Sequence, residues 1–301
     1  MAKKKNKNAI RDGWPRRAFL VANGILFAFI LFLCLYPMWY VVIQSLSDGN
    51  KGVGALFMPI GFTLSNYARV LTRPDILDAF ALSVVRTVSG TVLVVICCML
   101  LGYLFTKESM PYRKFLYRML IITSYVGGGM IPTYLVYKFY GLLNTFWVYI
   151  IPGLVSSYYV ILIKTYVESM PPEVEESAMI DGANTMTIFF KIILPLSMPI
   201  AATIAIYASV GHWNSWFDNQ MYNVNAPELT TLQYLLYRYL NQAEDMIEAI
   251  ERGEIAETAA KLTPRSLKMT ITVVTVVPIL CVYPFMQRYL LKGIMIGAVK
   301  G

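Results

Sequence analysis

Residues 176–195 read Glu-Ser-Ala-Met-Ile-Asp-Gly-Ala-Asn-Thr-Met-Thr-Ile-Phe-Phe-Lys-Ile-Ile-Leu-Pro. The run opens acidic and polar, and it lies between two strongly apolar stretches. Residues 171–182 are built like a short amphipathic helix. Pro172 suits a first helical position, Glu173, Glu175 and Glu176 complement the N-terminal dipole, and Gly182 can end the helix. A second helix is expected from Asn184 or Thr185, continuing into the next apolar stretch with Pro195 where it enters. Ile188, Phe189, Ile192 and Ile193 give it an apolar face for packing on a membrane bundle. A helix–turn–helix with this acidic lead has little to offer lipid. It has the chemistry of a surface gripped by another protein: Ala178 and Gly182 permit close backbone approach, and Glu176 can accept a charge-assisted hydrogen bond.

Composition sets the class. Hydrophobic residues make up 57% of the chain and charged residues only 15%, which marks a polytopic membrane protein. Six apolar stretches, 19–43, 82–105, 115–137, 145–163, 197–217 and 269–286, can each cross ~30 Å of hydrocarbon, which takes about 20 helical residues. The expected fold is all-α, with six transmembrane helices. Lys3, Lys4, Lys5, Lys7, Arg11, Arg16 and Arg17 precede the first stretch. Its length, and the lack of a small-residue cleavage site after it, make it a retained span rather than a signal peptide. Lys107, Arg113, Lys114 and Arg118 follow the second stretch, Arg288, Lys292 and Lys300 follow the last, and the connection near Lys138 is poor in charge. The positive-inside rule therefore places both termini, and the 176–195 loop, in the cytoplasm. The expected organisation is a basic N-terminal segment 1–18, a first transmembrane helix and outer segment 19–80, a transmembrane domain 81–291 and a cytoplasmic tail 292–301. The domain holds the cytoplasmic loop 168–196 and an outer loop 220–268.

Several chemistries drop out. The net charge of +8 is concentrated in the Lys-rich start, which serves topology beside anionic lipid better than it serves nucleic acid. Cys34, Cys97, Cys98 and Cys281 lie in apolar stretches with no metal-ligand spacing. His212 is the sole histidine, which removes multi-histidine metal sites and argues against a catalytic triad. The sequence has no Gly-x-x-x-x-Gly-Lys-Ser/Thr phosphate loop, so the chain is not expected to hydrolyse ATP by itself. No Asp or Glu falls inside the six stretches, which argues against a proton-driven carrier but leaves sodium sites made of backbone carbonyls open. Arg86 is the notable charge within a span, and snorkelling to the outer interface is its expected role. Gly127-Gly128-Gly129 and Pro132 should weaken the third helix, with close helix packing as the expected reason for the glycines.

Glu176-Ser177-Ala178, three residues, Gly182, nine residues, then Ile192-x-Leu194-Pro195 closely resembles the EAA loop of ATP-binding-cassette importer permeases, with Ser177 where that family usually has Ala. Gly128-Gly129-Met130-Ile131-Pro132-Thr133-Tyr134 and Trp213-Asn214-Ser215-Trp216-Phe217-Asp218 resemble the branch that imports complex carbohydrates. The end, Gly297-Ala298-Val299-Lys300-Gly301, resembles the tail of the maltose-type permease that reaches into its ATPase. The resemblance implies a translocation subunit, not an enzyme, with no cofactor of its own. It further implies a second homologous permease, two ATPases that bind the ATP and Mg, an extracytoplasmic solute-binding protein and an oligosaccharide cargo. ATPase coupling would fall to Glu176, Ser177, Ala178, Asp181, Gly182, Ile192, Leu194 and Pro195, with Gly297, Val299 and Lys300 of the tail at the ATPase. The outer loop between the last two spans would meet the binding protein, although here it is longer than the usual pattern and carries an acidic, helix-prone part at 241–261.

A sugar path needs flat apolar faces and hydroxyl-binding groups. Tyr158, Tyr159, Trp213, Asn214, Trp216 and Tyr222 supply those types for the path or for binding-protein contact, although Trp and Tyr also gather at membrane interfaces. The expected function is the permease of an ATP-driven importer of oligosaccharides in the cell membrane. The rival readings are a secondary carrier, a permease of the same architecture for a non-carbohydrate solute, and a non-transporting scaffold.

Overall fold

The structure, a computed structural model, describes residues 14–48, 56–251 and 268–284. Lys3 to Arg11, the end of the acidic outer segment and the tail residues Gly297, Val299 and Lys300 lie outside the described residues. Every element among those described is helical.

The first helix, α1 (Trp14–Ser45), is apolar all round, and no part of its apolar window is buried against the rest of the chain. Its C-terminal end is fastened to the segment that follows. Ser45 Oγ bonds Tyr67 Oη at 2.6 Å, and Asn66 Nδ2 donates to the carbonyls of Ser45 and Ser47, both at 3.0 Å. Tyr67 and Asn66 belong to α2 (Ser65–Leu71). Thr63 Oγ1 receives the Ser65 N–H at 3.1 Å, so the hydroxyl that serves this helix start is Thr63's.

The spine of the bundle is α3 (Pro74–Leu104). Pro74 opens it, where a missing N–H costs nothing. Ile76, Ala79, Ser83, Arg86, Gly90 and Val94 fall three or four residues apart and form its buried stripe. Against that stripe lie α6 (Ser157–Glu168) and α10 (Met198–Asn214). Two glycines allow the approach. A Cβ on Gly90 would stand 2.5 Å from His212 Nε2 on α10, and one on Gly102 would stand 2.5 Å from Ile163 Cγ2 on α6. The core at the C-terminal half of α3 joins Met99 and Tyr103 to Val160 and Ile163 of α6 and Ile204 of α10.

The third, fourth and fifth expected spans are broken. The third stretch forms α4 (Arg113–Tyr125) and α5 (Met130–Phe139), separated by non-helical residues 126–129 with Gly129 at φ +80°. A Cβ on Gly127 would meet nothing within 4 Å, and the nearest atom to one on Gly128 is Pro132 Cβ at 4.0 Å. The glycines therefore make the break; they are not a packing contact within this chain, contrary to the sequence expectation. The fourth stretch joins 3-10 turns at Phe146–Tyr149 and Ile151–Gly153 to α6 with a 46° bend.

At the fifth, α8 (Thr185–Ile188), a π-helical turn Phe189–Ile193 and α9 (Leu194–Leu196) meet α10 at 80°. The helix after Asn184 thus does not run straight into the span. Pro195 cannot donate an N–H, the turn before it widens, and Pro199 starts a new helix beyond Ser197. Among the described residues two helices, α1 and α3, are long and apolar enough to cross a membrane, or up to four spans if each bent pair counts as one.

Beyond α10, α11 (Phe217–Tyr222) and α12 (Leu232–Glu251) return over the bundle. Ser83 Oγ accepts the Leu232 N–H at 2.8 Å, and Asn219 Oδ1 accepts the Thr231 N–H at 2.7 Å. Trp213 Nε1 donates to the Thr275 carbonyl at 3.2 Å, tying α10 to the last described helix, α13 (Lys268–Pro284).

Gly102→Ala should lower stability by about 1–3 kcal/mol through overpacking against Ile163. Gly24→Ala, where a Cβ meets nothing within 4 Å, should leave it unchanged or slightly raised. Thermal unfolding in detergent compares them, and equal midpoints for the two variants would contradict the packing account.

Candidate functional site

The loop after α6 contains α7 (Glu173–Ile180), whose first N–H groups at Glu175 and Glu176 bond the Pro172 carbonyl at 3.0 Å. Its end is a Schellman motif. Ala183 N–H bonds the Ala178 carbonyl at 3.0 Å, Gly182 N–H bonds the Met179 carbonyl at 3.0 Å, and Gly182 has φ +81°. Asn184 caps the next helix, its Oδ1 accepting the Thr187 N–H at 2.8 Å. Gly182 is thus required by backbone conformation; within this chain a Cβ added there would meet nothing within 4 Å. Ala178 is turned into the bundle core with Ile188, Phe189 and Ile193, so in this chain it packs inward and offers no outward face.

The exposed residues of α7 and the turn after it are Glu173, Glu176, Ser177, Asp181 and Gly182, joined by the apolar Met179 and Ile180, the latter 86% exposed. Ile192 and Leu194 pack partly on the core, and Pro195 is exposed. Sequence reasoning passed over the residue that holds α7 in place. Glu175 turns inward, accepts the Tyr103 hydroxyl at 2.8 Å and pairs with Lys107. The Lys107 ammonium lies 4.5 Å from the Tyr103 ring centroid, and that ring packs on Phe189 at 5.5 Å. The C-terminal end of α3, the surface helix and the turn behind it therefore meet in one cluster. In the sequence Glu175 is one of three neighbouring acids, and nothing marks it as the buried one.

A second ionic centre sits about twelve residues, roughly 18 Å, along α3 from Pro74. Arg86 does not snorkel. Only 2% of it is exposed, and it makes a bidentate pair with Asp218, with Nη1 3.2 Å from Asp218 Oδ1 and 3.3 Å from the Ser215 carbonyl. Its guanidinium carbon lies 4.3 Å from the Tyr149 ring centroid, and Tyr149 in turn donates its hydroxyl to the Leu229 carbonyl at 2.6 Å. The guanidinium is enclosed by protein instead of extending to the surface, and the acid that neutralises it lies 132 positions away in sequence, just past the fifth apolar stretch. Beside the pair is an open cavity of about 370 Å³.

The aromatic candidates scatter. Tyr159 and Tyr222 line this cavity, whereas Tyr158 is exposed and does not. Trp213 is a core residue packed edge-on against Phe80, Trp216 stacks on Tyr237 at 4.1 Å, and Asn214 is exposed. Tyr137, Tyr207 and His212 line the cavity and were not singled out by sequence.

Residues 58–296 match the family described as "Binding-protein-dependent transport system inner membrane component". The chain belongs to this family. Among curated relatives it is 33% identical to the polygalacturonan/rhamnogalacturonan transport system permease protein YtcP of Bacillus subtilis over 286 residues, 94% of this chain and 98% of the relative. It is also 33% identical to the protein LplC of the same organism over 287 residues, 95% and 96% of the two chains. Among solved structures it superposes on a chain of a bacterial ABC transporter involved in import of the acidic polysaccharide alginate. That match has TM-score 0.84 at 26% identity, covering 93% of this chain and 99% of that one. The chain is therefore a membrane-embedded permease component of the binding-protein-dependent family, with the permease fold.

Arg86→Met or Asp218→Leu alone leaves a buried charge unpaired and should cost about 3–5 kcal/mol, while the double variant should recover most of it. A double-mutant cycle by thermal unfolding in detergent checks this. Additive losses would contradict a direct pair.

Proposed function

We propose that this chain is a translocation subunit of an ATP-driven carbohydrate importer, and that α7 and its flanking turns receive the motion of a separate ATPase. The observation that carries the reading is the pairing of an outward acidic and apolar face on α7 with an inward anchor to α3. Glu176 and Asp181 offer carboxylates for charge-assisted bonds, Met179 and Ile180 offer apolar contact, and Gly182 fixes the turn. Rigid-body movement of that unit would carry α3 with it, which is what alternating access needs.

Carbohydrate cargo is supported by relatives named for polygalacturonan, rhamnogalacturonan and arabinooligosaccharide transport. A more distant structural neighbour is described as an alginate transporter in complex with a pentasaccharide-bound periplasmic protein. On this reading the partners are a second permease, two ATPases that bind ATP and Mg, and an extracytoplasmic solute-binding protein. The chain passes the cell membrane six times with both termini in the cytoplasm. The outer loop 220–268 faces the binding protein, and Gly297, Val299 and Lys300 lie at the ATPase.

Reconstituted in vesicles with those partners, the chain should support sugar uptake that requires ATP. Glu176→Lys and Ile180→Asp should each lower ATPase association and uptake at least severalfold without loss of membrane insertion. Full association and uptake in both variants would refute the docking surface, and uptake by the isolated chain without ATP would refute the ATP-driven reading in favour of a secondary carrier.

A further inference from the structure

The cavity beside Arg86 and Asp218 is walled by α3, α5, α6, α10 and α11, and its volume of about 370 Å³ is in the range of small-ligand sites. Five tyrosines line it: Tyr137, Tyr149, Tyr159, Tyr207 and Tyr222. Tyr149 donates its hydroxyl to the Leu229 carbonyl, whereas among the described residues the hydroxyls of the other four have no protein hydrogen-bond partner, and neither does the His212 ring. Arg86 Nε, on a side chain 2% exposed, is also buried without a partner. Of these groups only Arg86 Nε is fully buried; the four hydroxyls and the His212 ring are reachable from the open cavity, so its lining offers polar groups to a ligand rich in hydrogen-bonding groups. The rings add the second half of sugar recognition. Tyr137 and Tyr222 pack edge to face at 4.9 Å and present aromatic surface to the space.

The geometry points to this cavity as a sugar-contact site contributed by this subunit itself, one that reads hydroxyls and ring faces. Arg86 and Asp218, the Asp/Glu/Lys/Arg side chains among its lining residues, neutralise one another. A carboxylate on the sugar therefore finds no free cation here, and an acidic oligosaccharide would be held through its hydroxyls as a neutral one is. Gly90 fits this role, since any side chain there would push the His212 ring from its position against α3. The inference rests on the carbohydrate reading above.

The test uses the complete importer in vesicles, with neutral galacto-oligosaccharides and oligogalacturonates as probes. Tyr159→Phe and Tyr207→Phe remove hydroxyls that serve no protein partner, so a purely structural role predicts no change. The double variant should lose roughly tenfold in uptake of the best probe, about what two hydrogen bonds supply, and should change the relative rates among probes. Its melting midpoint and its binding-protein-stimulated ATP hydrolysis should hold. Unchanged uptake would overturn the site. An equal fall for every probe together with lost hydrolysis would overturn it too, by assigning the hydroxyls to assembly. A wild-type importer that moves neither probe would remove the carbohydrate reading, and this inference with it.

Discussion

The contact on which the proposed mechanism depends is the junction of Glu175 with Tyr103 and Lys107. A surface helix of eight residues has little stability of its own, since short helices in water pay for a costly nucleus. Here it is held by an inward carboxylate, a buried alanine, a Schellman turn and an Asn cap on the following helix. Because Tyr103 also packs on Phe189, the same cluster grips the chain on both sides of the Gly182 turn. The loop is thereby joined to the C-terminal end of α3 by side chains as well as by the chain between them.

The bundle has a second junction farther along the same helix. Arg86 pairs with Asp218 and lies against Tyr149, bringing α3, α11 and the turns before α6 together around one buried charge. Such a pair is weak evidence for net stability, because desolvation offsets much of the attraction, but it strongly disfavours arrangements that separate the partners. A helix clamped near its C-terminal end and again near its middle is suited to move as a unit. Its glycine contacts at Gly90 and Gly102 keep α10 and α6 close along that length. The cavity lies between these helices, so a shift of α3 against α10 would reshape it.

Much of the local grammar was legible in the sequence. Proline, acids and glycine in order around 172–182 announce a short helix and its stop, and Asn184 announces the next. Ile188, Phe189, Ile192 and Ile193 pack as their spacing expects. What sequence could not supply is partnership across long separations. Arg86 looks like a snorkelling residue until Asp218 is placed beside it, and Glu175 looks like its neighbours until Lys107 is. Composition also overstated the continuity of the spans. Apolar runs record burial or lipid exposure, but the break at Gly129, the π turn before Pro195 and the bend at Ser197 depend on backbone geometry that hydropathy does not register. The aromatic residues divide for the same reason: Trp213 and Tyr159 are alike in type, and only packing shows that one fills the core and the other lines a cavity.

The most direct measurement is the number of sugar molecules imported per ATP hydrolysed, taken on the complete importer in vesicles with Glu175→Ala against the unaltered chain. That substitution leaves the outward face of α7 in place and removes its ionic and hydrogen-bonded hold on α3. The account predicts continued, binding-protein-stimulated ATP hydrolysis with a marked fall in sugar moved per ATP. An unchanged ratio would contradict it, because force would then be reaching the bundle without this junction.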